Sequence, residues 1–136
     1  MAETFQLEIV TPDKLVVDDR AEEMQIPGKQ GYLGVLPGHA PLITELAVGE
    51  ISYRRGGTTQ CLAVAWGFAE VLPEKVTILA QTAERAEEID AARAERARER
   101  AQARLTSGDP STDFPRAQTA LERAQARLEV AGKRQG

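Results

Sequence analysis

Residues 60–79, QCLAVAWGFAEVLPEKVTIL, decide the fold class. Two apolar runs, Gln60–Ala65 and Gly67–Leu72, stand on either side of Trp66. Pro73-Glu74-Lys75 supplies a turn, and Val76-Thr77-Ile78-Leu79 is one more apolar run. Runs this short, rich in Val and Ile and bounded by turn chemistry, read as strands rather than helices. The same grammar extends upstream. Phe5–Val10 alternates apolar and polar, as a half-buried strand does. Thr11-Pro12-Asp13-Lys14 turns the chain into Leu15-Val16-Val17. Glu23–Ile26 alternates again and is expected to stop at Pro27-Gly28; Gly31–Leu36 is expected to stop at Pro37-Gly38. Leu42–Leu46 and Val48–Arg54 follow, with a hairpin turn at Arg55-Gly56-Gly57-Thr58. About ten short strands with no helix between them predict an N-terminal antiparallel β-sandwich. Leu36 and Leu42 are assigned to its core.

At Thr82 the composition changes. Ala and charged residues, all good helix formers, run on until Ser107-Gly108-Asp109-Pro110-Ser111. A first helix is expected from about Ile89 to Leu105, with Ala94, Ala97, Ala101 and Leu105 on one face. A second starts at Asp113 as N-cap, with Pro115 in its first turn and Gly132 as its stop. Ala117, Ala120, Leu121, Ala124, Leu128 and Ala131 line one of its faces. Two Ala-lined stripes joined by a short loop predict an antiparallel two-helix hairpin. Small side chains bury little area, so at about 25 cal/mol per Å² the hairpin is marginal alone and able to open. The expected division is residues 1–84 for the sandwich and 85–136 for the hairpin.

The net charge of −4 argues against a general nucleic-acid binder. It is unevenly spread: 7 Lys/Arg against 12 Asp/Glu up to Arg85, then 10 against 9. The single cysteine, Cys61, sits in an apolar run and is expected to be a buried thiol, which suits a reducing compartment. Residues 1–6 are acidic and polar, unlike a signal peptide, and no apolar run approaches membrane-span length.

Catalytic chemistry finds little to work with. His39, the sole histidine, lies in Pro37-Gly38-His39-Ala40-Pro41 with no second His or Cys cluster to join it. A structural or contact role at a loop tip is the better reading. The glycines of Gly28–Gly34 lack the order of a phosphate loop and no helix follows them. The arginines are the most informative polar feature. Arg93, Arg96, Arg100 and Arg104 form one stripe; Arg116, Arg123 and Arg127 form another. One reading is a solvated face with ion pairs such as Glu95–Arg98, each worth about 0.2–0.5 kcal/mol. The other is an anion site, because Arg suits bidentate phosphate contacts. Spacing alone favours the solvated face.

Several stretches resemble one family. Gly34-Val35-Leu36-Pro37-Gly38-His39-Ala40-Pro41-Leu42 is similar to the central loop of the epsilon subunits of rotary F-type ATP synthases. Pro12-Asp13-Lys14, Glu22–Pro27, Gly67–Val71, Val76–Ala80 and Ala120–Leu128 fit in the same order, so the resemblance covers nearly the whole chain. It implies a non-catalytic subunit of a proton-transporting complex, peripheral at the cytoplasmic face of a bacterial plasma membrane. Its sandwich binds the gamma subunit and the c-ring and couples rotation to ATP synthesis. Its hairpin opens toward the alpha and beta subunits and inhibits ATP hydrolysis. The resemblance implies no required cofactor, with ATP as a regulatory ligand. Ile89-Asp90-Ala91-Ala92-Arg93-Ala94 completes the family's I/L-D-x-x-R-A motif. By resemblance, Glu84, Ile89, Asp90 and Ala94 border the adenine. Arg93, Arg100, Arg123 and Arg127 reach ribose and phosphates. Tyr32 and His39 are implied contacts toward the c-ring and gamma. A free-standing nucleotide-sensing protein, with the sandwich as a platform, is the competing class; it predicts no gamma contact.

Overall fold

The computed structural model describes residues 3–133; residues 1–2 and 134–136, the ends of the two expected segments, lie outside. Strands β1 (Phe5–Val10), β2 (Leu15–Ala21), β3 (Glu23–Gly28), β4 (Gly31–Val35), β5 (Leu42–Leu46), β6 (Gly49–Arg55), β7 (Thr58–Val71) and β8 (Lys75–Arg85) come first. A single 3-10 turn at Ala86–Glu88 leads to helices α1 (Ala91–Thr106) and α2 (Phe114–Ala131). The strands run in the order β2-β1-β8-β7-β5-β3-β4, with β6 bridging β3 and β7. Pairing is antiparallel except between β1 and β8.

Alternation builds the core. On β1, Phe5, Leu7 and Ile9 are fully buried while Gln6 and Glu8 face outward. Ile26, Ile51, Leu62, Val71, Val76 and Ile78 join them from the other strands. Each such side chain contributes about 1.5–3 kcal/mol when fully buried. All members of this cluster come from strands; neither helix supplies one.

The sandwich has eight strands rather than ten. The expected segments Gln60–Ala65 and Gly67–Leu72 are one long strand bent at a corner. Trp66 has φ 51 and Gly67 φ 124, two left-handed residues in succession. Across them the inward face changes phase, from Leu62 and Val64 to Ala69 and Val71. The paired strand changes phase with it, from Ala83 to Ala80, Ile78 and Val76. Glycine is required at the second position: a Cβ on Gly67 would lie 1.8 Å from the Leu79 carbonyl oxygen. Trp66 is the exception, because a bulky side chain at positive φ costs on the order of 1–3 kcal/mol.

Other expectations are corrected. β8 continues past Thr82 to Arg85, because pairing with β7 persists through Leu62↔Arg85. Pro27 does not stop β3; it pairs with Tyr32, needing only its carbonyl, which accepts from Ala47 N–H at 2.9 Å. Leu36 is not in the core. It follows Val35, the last paired residue of β4, and is 60% exposed in the turn. Leu42 lies opposite Val71 but at the open rim, and stays 37% exposed. Cys61 is only partly buried, and not in the sandwich core. It packs with Ala63, Ala86, Ile89, Val130 and Ala131, a small second cluster between sandwich and hairpin.

The hairpin forms as its caps dictate. Asp90 accepts from Arg93 N–H at 3.0 Å and Asp113 from Arg116 N–H at 3.1 Å. Pro115 sits in the first turn of α2 and Gly132 closes its end. Ala94 and Ala101 of α1 and Ala117 and Ala124 of α2 are buried. α2 lies against β6, β7 and the 3-10 turn, whereas α1 packs chiefly on α2.

Candidate functional site

The junction of β8, α1 and α2 encloses an open cavity of about 420 Å³. Glu84 reaches it from the end of β8. Glu88, Ile89 and Asp90 follow, and Arg93, Ala94, Ala97 and Arg100 project from α1 at intervals of about one and two turns. Arg127 closes it from α2. Its apolar lining is small: Ile89 and Ala94 are buried.

The electrostatics are asymmetric. Three carboxylates line the cavity, and each already has a partner. Glu84 accepts from Arg127 Nε at 2.6 Å. Asp90 caps α1. Glu88 accepts from Arg85 N–H at 3.3 Å and lies 3.8 Å from Lys14 Nζ. The side chains of Arg93 and Arg100 have no hydrogen bond or ion pair among the described residues. Two exposed guanidiniums with free donors therefore stand in a mainly charged cavity with a small apolar lining. That arrangement suits a ligand with a flat apolar part and an anionic tail.

Seven of the eight expected nucleotide residues thus meet: Glu84, Ile89, Asp90, Arg93, Ala94, Arg100 and Arg127. Arg123 does not. Its guanidinium stacks over Trp66, with Cζ 4.6 Å from the ring centroid. It lines a separate small crevice with Ala65, Thr82 and Ala126. Arg127 and Glu84 border both spaces. Sequence reasoning missed Glu88 and Ala97 as lining residues. Ala97 was legible, being one turn from Ala94 and Arg93 and Arg100 alike. Glu95 and Arg98 do form an ion pair, on α1 and away from the cavity.

Neither Tyr32 nor His39 touches this cavity. The exposed Tyr32 has its hydroxyl accepting from Glu50 N–H at 3.0 Å. His39 is half-buried, its Nδ1 2.7 Å from the Ala40 carbonyl. Its loop is tied to the β7–β8 turn by Gly38 N–H donating to the Pro73 carbonyl at 2.8 Å. A separate apolar face lies outside β1-β8-β7-β5. Val10 pairs with Leu79 and Leu79 with Phe68, and Ile43 is two residues from Phe68's partner Glu45. Leu79, Phe68 and Ile43 are 55%, 52% and 69% exposed. Contiguous apolar surface of this kind marks an interaction site.

Among the described residues, no group of three or more His, Cys, Asp or Glu could hold a metal ion. No described helix is long and apolar enough to cross a membrane.

Comparison with known proteins agrees along the chain. Residues 4–86 match the family model for the ATP synthase delta/epsilon chain, beta-sandwich domain. Residues 87–132 match the model for its long alpha-helix domain. An ATP synthase epsilon chain of Koribacter versatilis is 71% identical over 110 residues, covering 81% of this chain and 78% of that one. An ATP synthase epsilon chain of Syntrophobacter fumaroxidans is 53% identical over 133 residues, covering 98% and 99%. Among solved structures, a chain of the Euglena gracilis mitochondrial ATP synthase (OSCP/F1/c-ring, rotational state 1) superposes with a TM-score of 0.81. It is 28% identical and covers 94% of this chain and 81% of that one.

Proposed function

This chain belongs to the ATP synthase delta/epsilon family, and from that premise we propose that its docked hairpin binds ATP and, when released, brakes ATP hydrolysis. The chain is an epsilon subunit of the central stalk, a non-catalytic part of the ATP synthase complex. It is peripheral to the membrane as part of that stalk.

The observation that carries the nucleotide reading is the cavity itself. Its carboxylates are engaged, while Arg93 and Arg100 keep their donors beside the apolar Ile89 and Ala94. The base would lie on the small apolar lining, and the phosphates would meet the guanidiniums. Ligand bridging α1, α2 and β8 would hold the hairpin closed. Without it, the Ala seam between the helices and the small cluster beneath α2 hold the hairpin weakly. An opened hairpin would present its arginines to acidic groups on the alpha and beta subunits.

Exposure supports the reading of two partner surfaces. The apolar face of Leu79, Phe68 and Ile43 suits gamma, and the loop carrying His39 runs into β5 beside it. Tyr32 is offered to the c-ring. The proposed site is the cytoplasmic face of a bacterial plasma membrane, reached only through the complex.

Calorimetric titration of the purified chain tests the nucleotide reading, with ATP in the presence and absence of Mg²⁺ and with ADP as control. Saturable binding lost in Arg93→Ala is expected. No binding at millimolar ATP would overturn the sensor and leave the stalk role standing.

A further inference from the structure

We propose that Trp66 is the docking post of the hairpin: through Arg123 it holds α2 on the sandwich without any bound anion. This rests on the reading of the hairpin as a releasable element.

Trp66 is held where its backbone is uncomfortable. At φ 51 a glycine would be relaxed and an indole side chain is not. A residue kept in such a conformation is held there by what surrounds it, and strain of this sort gathers at functional positions. The backbone is held within the sandwich, by Trp66 N–H donating to the Ala47 carbonyl at 3.4 Å and by β7–β8 pairing on either side, and the ring so placed is offered to the hairpin. The indole lies 4.6 Å from Arg123 Cζ, well within cation–π range. The corner that carries Trp66 is also where β7 passes from the part beneath α2 to the part bearing the exposed Phe68.

Arg123 is placed at some cost too. Its Nε is buried and finds no hydrogen-bond acceptor among the described residues. Arg127, one turn along, has Glu84 at 2.6 Å; Arg123 has the indole face instead. The stack therefore stands in for an ion pair. It uses the face of the guanidinium and leaves the donors at its edge unused. It also keeps Arg123 outside the cavity that its neighbour Arg127 lines. The ring face and the guanidinium face meet only while α2 is docked. That mutual dependence makes the pair a clamp, with Trp66 as a positioning residue that acts through Arg123.

The test uses the full chain, in which Trp66 is the sole tryptophan. Amide hydrogen exchange along α2 is measured in the wild type, Trp66→Gly, Arg123→Ala and the double variant. Trp66→Gly removes the backbone strain, so the sandwich keeps its fold and the exchange of β1 and β2 serves as control. Each single change is expected to speed α2 exchange about five- to thirtyfold, the range of a partly desolvated cation–π contact. The double variant should match the singles, and Arg123→Lys should keep part of the protection and shift the Trp66 emission. Unchanged α2 exchange in both single variants would overturn the clamp, and so would fully additive effects. The nucleotide reading fails separately: a wild type that binds no ATP, with the cycle intact, leaves the clamp standing. A wild type that binds ATP while α2 exchange is unmoved sinks the clamp alone.

Discussion

At the scale of single residues, the bend in β7 concentrates the most restrictive geometry in the molecule. Gly67 combines φ 124 with a backbone carbonyl where its Cβ would stand. Gly67→Ala must therefore move β8 away from β7, not merely pay for a left-handed φ. A loss of at least about 3 kcal/mol is expected, read from urea unfolding. Gly56, at φ 56 in the β6–β7 hairpin, meets nothing within 4 Å. Its change to Ala should cost only about 1–2 kcal/mol, the left-handed penalty alone. Equal losses at the two positions would mean that the Leu79 contact is not what fixes the corner. This bend also shows why the sequence misled. Trp66-Gly67 reads as a break between two strands, because left-handed residues usually end them. Pairing with β8 holds on both sides of it, while the inward face changes and the partner on the other edge passes from β6 to β5.

At the scale of elements, the hairpin's attachment is thin and mixed. Val130 and Ala131 press on Ala63, Ala86 and Ile89, with Cys61 at the edge. Lys133 pairs with Glu50 at 2.7 Å. Burial pushes the Cys61 thiol up, with Glu50 reinforcing the shift, so the thiol is neutral and slow near pH 7. Val130→Asp places a charge in the small cluster, and Cys61 labelling by a neutral maleimide should speed up several-fold while the sandwich melts as before. Unchanged labelling would mean that α2 does not cover the thiol. The pH dependence has a definite sign. The hydrogen bond to Glu50 raises Lys133 above its ordinary 10.5, despite desolvation, with Cys61 and Glu129 as the other charges facing it. Its contribution is complete below 10.5 and is lost as pH climbs through the raised value. Lys133 is half-exposed, so the effect is small, about 0–1 kcal/mol. Docking followed by Trp66 emission should be flat from pH 7 to about 9 and loosen above about 10.5; loosening between 7 and 9 would contradict the pairing. Helical periodicity made the cavity legible where its residues share one helix, as Arg93, Ala97 and Arg100 do. The resemblance set Arg123 beside Arg127 at the nucleotide, whereas here it stacks on Trp66, 57 positions earlier in the chain, a contact that periodicity cannot reveal because it assigns a face and not the element opposite. Composition marked the change from strand at Thr82, before β8 ends at Arg85, since within Gln81–Arg85 only Ala83 is apolar and turns inward.

At the scale of the whole molecule, two cores of unequal weight divide the labour. The large one, from Phe5 to Ala80, is complete without either helix. The small one needs Val130 and Ala131 from α2 against Ala63 of β7 and the Ala86–Ile89 turn. Removing residues 89–136 therefore exposes Ala63, Ala86 and the Trp66 indole but opens no hole in the sandwich. Gamma's proposed surface on Leu79, Phe68 and Ile43 is left intact, since these residues are exposed with the hairpin docked. The truncated chain should melt cooperatively and still assemble with the stalk. Because the arginines of α1 and α2 are gone, ATP hydrolysis by the complex should rise, and ATP binding by the isolated chain should vanish. The truncated fragment's own melting is the first control, since a fragment that unfolds gradually would show that the sandwich leans on its hairpin. With folding secured, failure to assemble would put a partner contact in the hairpin, and unchanged hydrolysis would remove the brake. The division of labour stands only if folding and assembly survive the cut while regulation does not.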